Sequence, residues 1–147
     1  MPERIPIIHR ISAPEIRKLE EDTFPNLKVE VKDPYNQIYI RHQLPSMIFE
    51  LVHNCFEQNA SRVRIEVRQG KMIVEDDVEH SNANKLVERL NQERVRTTKL
   101  PDPELGFPIS GSCGIFSTRK YLKEMGGKLT YHATEDNRVI AVATWLR

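Results

Sequence analysis

The chain has only two cysteines in 147 residues, Cys55 and Cys113, and no CxxC or Cys/His cluster. Neither a disulfide framework nor a zinc site is indicated, and a reducing cytoplasm is the expected setting. Long apolar runs are also missing. No segment is long enough to span a bilayer and no secretory leader is recognisable, so membrane insertion is not expected. Charge of one sign is not in excess either: the formal net charge is +1 with 29% charged residues. That balance does not mark a general polyanion binder, and no nucleic-acid partner is expected. Internal repeats and low-complexity tracts are absent. What remains is a chain of single-domain length with room for a real core.

The most informative stretch is LPSMIFELVHNCFEQNASRVRIEV, residues 44–67. A helix from about Gln43 to Asn59 puts Leu44, Met47, Ile48, Leu51, Val52 and Cys55 on one apolar face, with Phe49 and Phe56 widening the buried part. Glu50, Asn54 and Glu57 form a row along one edge of that face. A carboxylate and an amide at a core boundary point to a pocket. A strand follows over Ser61–Val67, with Val63, Ile65 and Val67 alternating against Arg62, Arg64 and Glu66.

Upstream, Ser12, Pro14 and Glu15 make a capping-box signature for a helix over Ala13–Glu21, which Pro25 prevents from continuing. Ile5, Ile7 and Ile8 precede it as edge-strand or docking residues, and His9 reads as a solvated histidine. Leu27, Val29 and Val31 alternate with Lys28, Glu30 and Lys32 as a half-buried strand. Asp33–Asn36 is turn chemistry, and Gln37–Arg41 is expected to return as the second arm of a hairpin. Downstream, Gln69-Gly70 turns into a strand over Lys71–Glu75 that ends in EDDVEH, residues 75–80. Asn82–Arg94 reads as a helix with Leu86, Val87 and Leu90 inward. A loop rich in Pro, Thr and basic residues (Arg94, Arg96, Lys99) follows. Gly114–Met125 reads as a helix carrying Ile115, Thr118, Tyr121, Leu122 and Met125 on one side. Gly126-Gly127 closes it, and strands over Lys128–Ala133 and Val139–Leu146 flank a turn at 135–137.

The run ELVHNCFEQNASRVRIEV, with Glu50, Leu51, Val52 and Asn54 in place, resembles the first motif of the GHKL ATPases: gyrase, the large heat-shock chaperones, mismatch-repair ATPases and histidine kinases. Asp76 in VEDDVEH stands where that superfamily has the aspartate of Asp-x-Gly-x-Gly, with Val78 and His80 in place of the glycines. PISGSCGIF followed by Gly126-Gly127 is similar to the last glycine box and helix of histidine kinases, with Gly114 on its final glycine and Ser110 and Ser112 replacing the others.

The resemblance implies a two-layer α/β sandwich, a mixed and mostly antiparallel sheet with helices on one face. Residues 1–26 would be an extension with a short helix, and 27–147 the ATP-binding domain. It implies Mg-ATP as the ligand. Asn54 would hold magnesium through its amide oxygen, and Glu50 would orient the attacking group or assist phosphoryl transfer. Asp76 would accept the exocyclic amine of adenine, and the amides around Gly111, Ser112 and Gly114 would receive phosphate at a helix N-terminus. The implied activity is phosphoryl transfer to a protein partner. With no recognisable dimerisation helix carrying an acceptor histidine, the expectation is either a fragment or a chain acting on a separate protein, as the anti-sigma kinases of this superfamily do; homodimerisation stays open. The missing glycines favour an alternative, a scaffold that kept the fold without turnover. A second alternative is an ATPase subunit of a gyrase- or mismatch-repair-like machine.

Overall fold

The computed structural model describes residues 9–10, 13–32, 39–40, 44–68, 70–92 and 112–145, with side chains for 13–32, 47–68, 70–92, 115 and 117–145. In chain order the elements are β1 (His9–Arg10), α1 (Ala13–Thr23), β2 (Lys28–Lys32), β3 (Tyr39–Ile40), α2 (Leu44–Glu57), β4 (Arg62–Arg68), β5 (Lys71–Asp76), α3 (Ala83–Leu90), α4 (Ser112–Glu124), β6 (Lys128–Ala133) and β7 (Val139–Thr144). Five strands form one sheet in the order β2-β4-β5-β7-β6, parallel between β2 and β4 and antiparallel elsewhere. The parallel pair follows from its connection: a crossover carrying α2 returns the chain in the same direction, which a short hairpin cannot do.

Strand alternation puts one face of this sheet under the helices. Ile65, Val74, Ala141 and Tyr131 lie in one cross-strand row of that face, and Val67, Met72, Ala143 and Leu129 in the next. The third row is Val29, Val63 and Asp76, so a carboxylate occupies an inward position among valines. Onto this face α2 lays Met47, Ile48, Leu51, Val52 and Cys55, all buried as the periodicity required. Leu86 and Leu90 of α3 and Ile115, Thr118 and Leu122 of α4 complete the cover. The outer face carries Arg64 beside Glu75, and Arg138 bonds Glu75 at 2.7 Å.

Two expectations are corrected. Of the expected strand over 37–41 only Tyr39–Ile40 falls among the described residues, and it does not pair with Leu27–Lys32. β3 pairs antiparallel with β1, and β2 spends its hydrogen bonds on β4. Phe49 and Phe56 do not widen the core face; they are 38% and 36% exposed and pack around Phe24, with ring centroids 5.4 and 5.2 Å away. Their places on α2 lie too far round the helix from the Leu51–Cys55 stripe to reach the sheet. The Ser12 cap and the basic residues Arg94, Arg96 and Lys99 lie outside the described residues. Among those that are described, no helix is long and apolar enough to cross a membrane.

Helix ends follow capping rules. Asn59, in the left-handed region at φ 64°, ends α2, with Ala60 N–H donating to Cys55 O at 3.1 Å and Asn59 N–H to Phe56 O at 3.0 Å. Asn82 caps α3 by accepting from Lys85 N–H at 3.1 Å.

On α1, Ile16 and Glu20 share the buried side. Glu20 is only 2% exposed, and its Oε2 has no hydrogen-bond partner among the described residues. Burial pushes its carboxyl up from 4.5 to about 7. The folded chain therefore holds the proton more tightly than the unfolded one. Glu20's contribution to stability is complete below pH 4.5 and is lost as pH rises to about 7. Glu20→Gln keeps the shape and cannot ionise. Thermal unfolding across this range is expected to show a smaller decline with rising pH for the variant than for the parent chain. Parallel stability–pH curves would contradict the assignment.

Candidate functional site

The inward row that ends in Asp76 brings a carboxylate against α2. Asp76 is 7% exposed, its Oδ1 accepts from Val78 N–H at 2.9 Å, and the Cys55 thiol hydrogen-bonds the carboxylate. Burial pushes the Asp76 carboxyl above its ordinary range, opposed by these two donors. The thiol is pushed up in turn, by burial first and then by the adjacent Asp76 charge. A carboxylate with two donors still has lone pairs for a third.

Asp77 turns the other way and serves the backbone. It accepts from Ser61 N–H at 2.9 Å, from Arg62 N–H at 3.1 Å and from the Ser61 hydroxyl. Desolvation acts to raise its carboxyl, but these bonds prevail and hold it below the usual range. The acidic pair is therefore divided, with Asp77 clamping the start of β4 and Asp76 facing inward.

Val78 and His80, which stand where glycines would be expected, take no left-handed backbone. Among the described residues positive φ is confined to Asn26, Asn59, Asn137, Gly70 and Gly126. The loop after β5 thus follows a path that a Cβ tolerates. His80 is buried, its N–H donates to Asn137 O at 2.8 Å, and burial lowers its imidazole pKa.

Between α2, α3 and the sheet lies a cavity of about 40 Å³. Asn54, Cys55, Asp76 and Tyr131 line it, with Leu51, Leu86 and Leu90 among its apolar walls. Asn54 and Asp76, separated by a helix end and two strands in sequence, meet at this one space. Two of its lining residues, Asn54 and Tyr131, each carry a polar atom, Oδ1 and the hydroxyl, that is buried with no hydrogen-bond partner among the described residues. An orphan of this kind costs about 1–3 kcal/mol, and a donor or a hard cation would relieve it. The cavity has room for a water molecule or the edge of a base, not for a whole nucleotide.

Glu50 sits one helical turn before Asn54, half-buried, and does not line this cavity. Gly111 lies outside the described residues. Ser112 and Gly114 fall in the first turn of α4, which starts two residues earlier than expected. The N–H groups of a first turn have no intrahelical acceptor and face an anion favourably with the helix dipole behind them. α4 packs against α2.

Three contributors are not evident from motif reading. Tyr131 projects from the inward row of β6. Asn91, just past α3, bonds both backbone groups of Tyr131: its amide donates to Tyr131 O at 2.9 Å and its oxygen accepts from Tyr131 N–H at 2.8 Å. Arg119 of α4 donates to Gln92 O at 2.6 Å and to Leu90 O, so a guanidinium closes the C-terminal end of α3. The available signal was the inward alternation of Tyr131 opposite Ala141; the Asn91 and Arg119 contacts span 40 and 29 residues.

A larger groove of about 800 Å³ lies along α1 and the outer side of β2, β4 and β5. Its lining interleaves cations and carboxylates, among them Arg17, Glu21, Lys28, Glu30, Arg64 and Glu75. Asp76 borders this groove as well, but neither Asn54 nor any of the orphaned polar atoms found among the described residues does. Size alone does not make it the functional site.

No family model matches this sequence, and neither does the sequence of any curated protein. Solved structures do match in shape. The ATP-binding domain of PrrB from Mycobacterium tuberculosis superposes with a TM-score of 0.61 over 96% of this chain and 95% of that one, at 12% identity. The fold is that of a histidine kinase ATP-binding domain. The catalytic domain of histidine kinase ThkA gives a TM-score of 0.60 at 15% identity, covering 94% of each chain. The cytoplasmic segment of histidine kinase QseC gives 0.57 at 12% identity, over 99% of this chain and 82% of that one. At such identities the likeness is one of histidine kinase-like architecture, and chemistry has to be argued from the side chains.

Proposed function

We propose that the chain binds Mg-ATP between α2, α3 and α4 and uses it for phosphoryl transfer to a protein partner. The observation that supports this reading is the meeting of Asn54 and Asp76 at one cavity, each with acceptor capacity left over. Magnesium would neutralise charge on the phosphates. Asn54 Oδ1 is a hard oxygen with no partner among the described residues, suited to holding it. Among the described residues no three His, Cys, Asp or Glu side chains gather. Phosphate and water oxygens would then complete the coordination, a normal arrangement for this ion. Asp76 accepts the amine of the base. The first turn of α4, with Ser112 and Gly114, receives phosphate, together with Gly111 before it. Glu50, on the same helix edge one turn before Asn54, orients the attacking group.

Asp76→Asn tests the reading. It puts an amide donor toward the amine and is expected to weaken ATP roughly 10- to 100-fold, with little effect on triphosphates lacking that amine. An equal loss for all triphosphates would contradict it. A second reading, a scaffold without turnover, is favoured by the narrow cavity and by the side chains of Val78 and His80. It predicts no nucleotide binding for Asp76→Asn to weaken.

A further inference from the structure

Tyr131 carries a hydroxyl that no described residue engages. The residue is 7% exposed, and its oxygen is buried without a partner among the described residues. Phenylalanine would fill the same space without leaving a polar atom unsatisfied. The position is also tightly held. In register Tyr131 faces Ala141 of β7, where a small side chain leaves room for the ring. Asn91 fixes both of its backbone groups. The side chain lines the same cavity as Asp76 and Asn54.

We infer that Tyr131 is a second base-reading residue, whose hydroxyl donates to the ring nitrogen beside the exocyclic amine that Asp76 accepts. This rests on the nucleotide-binding reading above. Asp76 and Tyr131 stand two strands and one residue pair apart, on the order of 12 Å between Cα atoms from strand spacing and rise. A tyrosine side chain and the edge of a base together span that gap. Burial raises the phenol's pKa, so the hydroxyl keeps its proton and acts as a donor. An acceptor at Asp76 and a donor at Tyr131 complement adenine, which presents an amine next to a bare ring nitrogen. Guanine presents a carbonyl next to an N–H: the carbonyl meets the Asp76 carboxylate acceptor to acceptor, and the N–H is satisfied only if the hydroxyl turns to accept. A site built to hydrogen-bond one pattern rejects the other strongly, because its own buried groups are then left unpaired.

The test is titration of the whole chain with ATP, GTP and an ATP analogue in which C–H replaces the ring nitrogen beside the amine, alongside Tyr131→Phe. The parent chain is expected to bind ATP about tenfold more tightly than the analogue, with GTP weaker still. Tyr131→Phe is expected to lose about that tenfold for ATP, to bind ATP and the analogue alike, and to melt no lower than the parent. The analogue comparison on the parent alone keeps the inference falsifiable without any variant. Equal affinities for ATP and the analogue in the parent, or an unchanged ratio in Tyr131→Phe, would overturn it while leaving nucleotide binding intact. A parent chain that binds no nucleotide would overturn the nucleotide-binding reading and this inference together.

Discussion

Asn54→Ala is expected to lower the affinity for Mg-ATP by roughly 100-fold and to erase the difference between titrations with and without magnesium. Mutations one layer removed from a metal typically cost 10–100-fold, and here the sole protein oxygen assigned to the ion is removed. The fold should survive. Asn54 is half-buried on α2, its Oδ1 has no partner to lose among the described residues, and alanine is the better helix former. Calorimetric titration with unfolding curves on the same preparations separates the two effects. Magnesium-dependent affinity equal to that of the parent would contradict the role of Asn54.

The second large effect concerns the adjacent glycines at the end of α4, which do different jobs. Gly126 lies in the left-handed region at φ 74° and donates to Lys123 O at 3.0 Å, while Gly127 donates to Leu122 O at 2.7 Å. This is the paired closure by which helices end at glycine. Gly126→Ala should cost about 1–2 kcal/mol, the strain of a Cβ in that region. At Gly127 an added Cβ would fall 1.7 Å from the backbone oxygen of Thr144 and 2.6 Å from its carbonyl carbon. No side-chain rotation relieves a collision with backbone. β6 and β7 would have to separate where Lys128 pairs with Thr144. Gly127→Ala is therefore expected to cost more than about 4 kcal/mol, a large share of the roughly 5–15 kcal/mol that holds a domain together. Urea unfolding of the two variants should show a small shift for position 126 and loss of most folded protein for 127. Similar modest shifts would show that the β6–β7 end is looser than the structure has it.

How far the fold was legible depended on which physical signal each segment carried. α2 and β4 each have one clear period, and the stripe it selects is the buried one, Phe49 and Phe56 apart; β7 is apolar on both faces, and only its pairing shows that Val139, Ala141 and Ala143 face inward. Pro25 and Gly126-Gly127 located the neighbouring helix ends for the same reason: their backbone preferences are local. Pairing is not local. The two-residue β3 could not be assigned to β1 from its own residues, because a parallel β2–β4 pair competes through a crossover that no short-range pattern encodes. Phe49 and Phe56 were misjudged because apolarity alone does not distinguish a core position from a rim where the rings of Phe49, His53 and Phe56 gather on Phe24.

At the candidate site, Asn54 and Asp76 stood out because the motifs around them resemble those of a known family, and the fold brings both residues to one cavity. The losses of glycine at Val78 and His80 looked costlier in the sequence than in the fold, where neither needs positive φ. Tyr131, Asn91 and Arg119 were invisible to motif reading, since each acts through a contact many residues away.

The measurement that bears most directly on the central claim is calorimetric titration of the unaltered chain with ATP, with and without magnesium. Saturable binding in the micromolar to sub-millimolar range that strengthens with magnesium is the predicted result. No detectable heat at millimolar ATP in either condition would contradict it, and the cavity around Asn54 and Asp76 would then belong to a scaffold that keeps the architecture without the ligand.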